Sequence, residues 1–321
     1  MTSPKRARPS PPPAASPPPP GPCVTGPSIF EAQATEPNQD RIAAQAVAYT
    51  KVKHNRSLRL SLVAVAAVVL ATSGLSYAGP FPVGAVGGVV LLCASLLFTY
   101  REDRLVQLAV SIKEDFDTKV FHLPWNHFAV TNRPSPLDVA RLAEKYTGSR
   151  KAGWYDDTRP VSRPLDILIC QQSDAAWGPP VHRRWAGAVA AGSTVVAAAV
   201  AGIWIAVGLT WQQGLADFVA PSLALVAEAI QTVLRNLRSA REKEGRLSMI
   251  MEHYNAALRG KPLQESVCRD IQNASAASRS RNGHVPDWFD DWQQPANQRA
   301  MTRSTEGLVA EAVAAGLTTK S

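Results

Sequence analysis

Apolar residues along this chain gather into two blocks, each broken once near its middle. Leu58 to Tyr77 (LRLSLVAVAAVVLATSGLSY) carries one charge, Arg59, close to its start, and its length matches the ~30 Å of bilayer hydrocarbon at 1.5 Å per residue. Ala78, Gly79 and Pro80 interrupt it, and Phe81 to Tyr100 (FPVGAVGGVVLLCASLLFTY) forms a second run; a turn this short folds the two as an antiparallel hairpin. The second block extends from Trp185 to Leu209 (WAGAVAAGSTVVAAAVAGIWIAVGL), breaks at Thr210 to Gly214 and resumes from Leu215 to Leu234 (LADFVAPSLALVAEAIQTVL). That last run holds Asp217, Pro221, Glu228 and Gln231 and is the least apolar, but it follows a clear span and precedes a basic cluster. The pattern predicts an all-α integral membrane protein with two transmembrane hairpins, 58–100 and 185–234, making four spans. A helical cytosolic insert over 101–184 and a helical C-terminal region complete it.

Outside the apolar runs, Ile42, Ala46, Tyr49 and Val52 recur at helical spacing and predict a cytosolic helix over 28–57, with Gln39, Asp40 and Arg41 as its polar start. Residues 1–27 are Pro-rich (PSPPPAASPPPPGP) and cannot bury apolar surface, which predicts a disordered, locally polyproline-II tail serving as a spacer or as a ligand for an SH3-like partner. In the insert, Leu105, Leu108, Ile112 and Phe116 continue the second span as a helix. Ser135-Pro136 starts another helix, to about Tyr146, and Leu165 to Trp177 reads as a third. Cytosolic helices are expected over 235–292, one running to about Leu258 ahead of Pro262 and one covering Leu263 to Ser278; 293–321 is expected to be a flexible tail.

Charge sharpens the orientation. The 321 residues carry a net charge of +8 and a pI near 9.5, which alone would suit a nucleic-acid binder. Lys51, Lys53, Arg56, Arg59, Arg101, Arg104, Arg183, Arg184, Arg235, Arg238 and Arg241 instead flank the apolar runs, without any nucleic-acid-binding motif, so no DNA or RNA partner is expected. With four spans they share one side, and the two opposite turns contain no Lys or Arg. The positive-inside rule then places both termini and every large polar segment in the cytosol of a multi-pass protein of the inner membrane. No apolar leader precedes Leu58, so the first span serves as insertion signal. Cys23, Cys93, Cys170 and Cys268 are far apart and read as reduced thiols.

Candidate chemistry is sparse. Small residues four apart (Gly84 with Gly88, Ala188 with Gly192, Ala198 with Gly202) suit close helix packing and a homo-oligomer in the bilayer. An ionised Glu228 in the hydrocarbon layer would cost at least about 2–3 kcal/mol. Glu228, Gln231 and Asp217 therefore form either a pore-facing stripe or snorkelling groups at frayed helix ends, and Pro221 would kink their helix. His122 and His127 with Asp115 and Asp117, and the pair Asp156-Asp157, lack a ligand spacing or partnering base, so packing and surface roles are expected. There is no phosphate loop, GxSxG, HExxH or kinase signature; no enzyme, metal or cofactor is expected.

Several segments in order resemble the SMODS-associated four-transmembrane effector family of bacterial antiphage systems built on cyclic-oligonucleotide synthases. They are FDTKVFHLPWN (Phe116 to Asn126), WYDD (Trp154 to Asp157), LDILICQQSDAAW with HRRW (Leu165 to Trp177, His182 to Trp185), and IQ with VPDWF (Ile271, Gln272, Val285 to Phe289). The likeness spans roughly Ile29 to Phe289; beyond it, Asp290, Asp291 and Trp292 replace the aromatic and basic continuation expected. The resemblance implies a pore-forming or otherwise membrane-disrupting effector, released when a nucleotide second messenger signals infection. A cyclic oligonucleotide needs cations for its phosphates and aromatics for its bases. Arg183 and Arg184 with Trp154, Tyr155 and Trp177 are the candidates, unless the arginines only anchor the third span at the headgroups. A constitutive channel or small transporter, and a membrane-anchored scaffold or receptor, are the alternatives from other classes.

Overall fold

A computed structural model describes residues 26–76, 83–148, 153–208, 210–211 and 220–319. The first helix is set locally. The Ser28 hydroxyl accepts the Glu31 amide at 3.2 Å, and the Glu31 carboxylate returns the bond to the Ser28 amide at 3.0 Å. The helices are α1 (Ile29–Ala34), α2 (Glu36–Ser76), α3 (Val83–Phe121), α4 (Pro136–Ala143), α5 (Leu165–Val207), α6 (Ala220–Leu258), α7 (Glu265–Arg279) and α8 (Asp287–Ala314). No strand occurs among the described residues; Val161 and Thr318 form an isolated antiparallel bridge.

Four of these helices are rods of 41, 39, 43 and 39 residues, roughly 60 Å each at 1.5 Å per residue. That is about twice the hydrocarbon thickness. Each rod therefore joins an apolar half to a polar half within one continuous helix. α2 packs along α3 and α5 along α6, with a further contact of α2 on α6, which is the neighbour relation two hairpins require. The turns expected at Ala78 to Phe81 and within Thr210 to Gly214 lie outside the described residues, except Thr210 and Trp211. So do the Pro-rich head through residue 25, Cys23 and Asp217. α5 ends at Gly208, whose φ of 68° closes the helix in the left-handed region.

One helix among the described residues is long and apolar enough to cross a membrane, Leu165–Ala206, and no residue of its most apolar stretch is buried within the protein. By length and composition the described residues thus supply one of the four expected spans.

Away from the apolar halves, the rods and short helices close around Ile29, Phe116, Phe121, Tyr155, Ile167, Leu168, Ile250, Tyr254 and Ile271, all at most 3% exposed. Each such side chain contributes ~1.5–3 kcal/mol of transfer free energy.

Three expectations are corrected. α5 is one unbroken helix through Pro179 and Pro180, not a helix to Trp177 followed by a separate span at Trp185. Proline normally breaks a helix, but here Val181, Val285 and Phe289 are buried together with Trp185 against them, and this packing holds the helix. The segment 293–321 is not a flexible tail through its length. α8 runs to Ala314 with Met301, Thr305, Leu308 and Ala312 buried, the Tyr254 hydroxyl donates to the Leu308 carbonyl at 2.6 Å, and the Ser162 amide donates to the Leu317 carbonyl at 3.0 Å. Finally, the segment expected as one helix over 28–57 is two: α1 ends at Ala34, where Thr35 takes an extended conformation, and α2 starts anew at Glu36 and runs on to Ser76.

Candidate functional site

Where the polar halves of the rods meet, charged side chains from three helices share one buried network. α3 supplies Lys113, Glu114 and Asp117, α5 supplies Asp174, and α7 supplies Arg269, Gln272 and Arg279. Arg279 bridges two carboxylates, Nη1 to Asp117 Oδ2 at 2.9 Å and Nη2 to Asp174 Oδ2 at 2.8 Å. Arg269 Nη2 donates to Glu114 Oε1 at 2.6 Å, and Gln272 Nε2 donates to both Glu114 Oε2 (2.7 Å) and Asp117 Oδ2 (2.9 Å). Lys113 pairs with Asp117 and donates to the Tyr155 hydroxyl at 3.1 Å; that hydroxyl in turn donates to Asp117 Oδ1 at 2.8 Å. Gln33 then clips both backbone groups of Tyr155 at 2.8 Å.

The side chains of Asp117 and Glu114 are 0% and 1% exposed, so the network survives only because every charge is answered. Burial alone would raise the Asp174 carboxyl, but Arg279, Lys113 and Lys243 outweigh it and hold it well below the carboxylate range. Desolvation works against the charged Arg279 too; Asp174 and Asp117 overcome it and keep the guanidinium charged. For Glu114 burial prevails and its carboxyl lies above the ordinary value. An intact neutral network adds little net stability, whereas losing one partner strands a buried charge at about 3–5 kcal/mol.

A second cluster sits at the base of the apolar halves. Arg59 of α2 grips Glu228 of α6 with two hydrogen bonds, 3.2 and 3.0 Å, and Arg56 reaches the same carboxylate at 3.4 Å. Both arginines lie 3.7 Å from Glu102 of α3. Three rods are thereby tied together. Near it, neutral His182 of α5 hydrogen-bonds Asn236 of α6 at 2.8 Å; burial and Lys243 push its imidazole down to about 4. His284 approaches Glu102 at 3.9 Å, but burial and the arginines push it to about 3, so this is not an ion pair at neutral pH. Trp185, Phe289, Trp288 and Trp292 stack edge to face beside this cluster, with Trp288 and Trp292 68% and 75% exposed.

The residues singled out from sequence distribute as follows. Glu228 lies within a protomer-internal ion cluster, and Gln231 stays exposed, accepting from Arg235 at 3.0 Å. Pro221 falls in the first described turn of α6, and Asp217 lies outside the described residues. Arg183 is exposed and pairs with Glu244 at 2.6 Å, while Arg184 donates to Gln293 at 2.6 Å. Tyr155 is buried in the network, Trp154 is 43% exposed over Lys113, and Trp177 is half-buried. Among the described residues no hydrogen bond, ring or cation–π contact joins either arginine to these aromatics. Lys113, Asp174, Arg269 and Arg279 went unnoticed in the sequence. Their signal was the set of family-like segments: Asp117, Tyr155, Asp174 and Gln272 belong to four of them and converge here.

An all-helical fold in which a membrane-length apolar helix continues one of the helices of a buried ionic core suits a membrane-anchored protein. The SMODS-associating 4TM effector domain matches residues 27–308, and the chain belongs to that family. Its 4TM character places the chain in a membrane. Over 270 residues the chain is 20% identical to a probable CBASS effector molecule of Bacillus cereus (strain VD146), covering 81% of this chain and 91% of that protein. No solved structure matches the chain.

Proposed function

We propose that this protein is a non-enzymatic effector of antiphage defence that breaches the inner membrane when a nucleotide second messenger signals infection. The family and its probable CBASS effector relative support the defence role. The observation that carries the mechanism is the continuity of the rods. α3 and α5 pass without a break from the ionic network into their apolar halves, so a displacement at Arg279 is delivered to the bilayer by rigid helix. In this reading four spans cross the membrane with both termini in the cytosol.

Ala188, Gly192, Ala198 and Gly202 all lie on exposed positions of α5, and nothing approaches a Cβ placed at Gly192 or Gly202. Such positions let a second copy approach closely within the bilayer. Glu228 is occupied by Arg56 and Arg59 within the protomer, so the described state is the closed one, and opening releases that carboxylate. Proteoliposomes loaded with a self-quenched dye test the proposal. Leakage on addition of a cyclic di- or trinucleotide is expected; leakage without nucleotide would instead indicate a constitutive channel, and none under any condition would refute the breach.

A further inference from the structure

Between the start of α2 and the end of α3 lies an open cavity of about 470 Å³, walled by α1–α2 residues such as Thr35 and Asn38, by Thr118, Lys119 and His122 of the α3 end, and by Arg133. Its volume falls in the ~300–1,000 Å³ range of small-molecule sites. Three basic side chains border it, and none of them has a carboxylate partner among the described residues. That contrasts with Arg41, Arg56, Arg59, Lys113, Arg269 and Arg279, all of which are paired. The one acid in the wall, Asp115, is answered by Arg41 at 2.5 Å. Arg133 Cζ lies 5.1 Å from the Trp125 ring centroid, a cation–π pair of the kind against which nucleic-acid bases stack. His122, at a φ of 54°, is the left-handed residue that closes α3, with the Leu123 amide donating to the Thr118 carbonyl at 3.0 Å, so the helix end fixes where His122 enters the wall.

We propose that this cavity binds a small, soluble phosphodiester ligand, with Lys119, His122 and Arg133 contacting phosphate and the Arg133–Trp125 pair stacking a base. The ligand class rests on the effector reading above; the place rests on the cavity. A lipid phosphate is excluded by distance, because α3 carries Lys119 roughly 30 Å from the end of its apolar run at Tyr100. An occupant would touch α2 and α3 together, and so bear on both rods of the first hairpin. Asp115 and Thr118 in the wall are within one turn of Glu114 and Asp117, which connects the cavity to the ionic network.

Isothermal titration of the full chain in phospholipid-free detergent, with a panel of 3′,5′-linked cyclic di- and trinucleotides, tests this. One member should bind. Lys119→Glu and Arg133→Glu should each weaken it at least about tenfold, as loss of a charge-assisted contact does. Lys119→Arg should retain binding and Arg183→Glu should leave it unchanged. Because both substituted side chains are exposed, thermal unfolding should not move. Binding of no panel member by the wild type at millimolar concentration would overturn the site, as would binding indifferent to both charge reversals. The two readings fail separately. Nucleotide-triggered leakage that persists in the Lys119→Glu/Arg133→Glu double variant removes the site and leaves the effector role. Titratable binding without leakage from wild-type vesicles leaves the site and removes the breach.

Discussion

Replacing Arg279 with Met removes one guanidinium from between two carboxylates. Asp117, 2.9 Å from Arg279, keeps Lys113, Gln272 and the Tyr155 hydroxyl, whereas Asp174, 2.8 Å away, loses its only hydrogen-bonded cation among the described residues and is left with the more distant charges of Lys113 and Lys243. A buried pair broken on one side costs about 3–5 kcal/mol. Two natural reporters flank the break: Cys170 one turn before Asp174, 2% exposed, and Cys268 beside Arg269, 0% exposed. Burial raises both thiols, Cys268 to about 12, so neither reacts in the folded state. With Cys23 and Cys93 changed to Ser, labelling of the remaining thiols by a maleimide dye in detergent reports opening of the core. The rate should rise roughly 10²- to 10³-fold in Arg279→Met, since labelling follows the free energy of opening. Arg279→Met with Asp174→Leu should recover part of the loss, because no carboxylate is then stranded. Labelling of the single variant within about threefold of its parent, ~0.7 kcal/mol, would refute the network as a structural lock.

Other outcomes follow from the same contacts. Gly283→Ala places a methyl 2.9 Å from the Asn236 backbone nitrogen, beside the bond from the Gly283 amide to Ser239, and should cost about 1–3 kcal/mol in thermal unfolding. His182 and His284 have folded pKa values near 4 and 3 against an ordinary 6.5. Their contribution is complete above about pH 6.5 and is lost as pH falls toward those values, ~3 kcal/mol for His182. Raised carboxyls such as Glu102 and Glu114 act in the opposite sense. The diagnostic is therefore the difference between variants: His182→Asn should flatten the fall in unfolding midpoint between pH 7.5 and 5, and an unchanged slope would contradict the assignment. Glu228→Gln weakens the tie to Arg56 and Arg59 and should lower the nucleotide concentration that triggers vesicle leakage; an unshifted dose response would show that this cluster is not a latch.

Local signals were legible and long-range ones were not. Ser135-Pro136 announced α4, and Pro262 announced the end of α6 at Leu258, because caps and prolines act within a turn. Pro179-Pro180 misled for the converse reason: the local rule was overridden by Val181 and Trp185 packing on Val285 and Phe289. In α8 the buried Met301, Thr305, Leu308 and Ala312 are spaced four, three and four, a readable helical stripe hidden by its small and polar members. Arg56 and Arg59 were legible as basic flanks, but their partner Glu228, more than 160 positions away, gave no sign of the pairing. Arg279 and Asp117 are equally remote, and no periodicity links them. Trp154 and Tyr155 stood out as aromatics, yet Tyr155 serves the core and only the fold shows that Lys119, His122 and Arg133 border a cavity.

Membrane potential tests the effector role most directly, read with a voltage-sensitive dye in bacteria expressing the full chain alone and then with a co-expressed cyclic-oligonucleotide synthase. Depolarisation only when the messenger is made is the expected result. A steady potential in both conditions, with the protein in the membrane and the nucleotide present, would contradict the breach and leave a membrane-anchored scaffold; depolarisation in both would make the chain a constitutive channel.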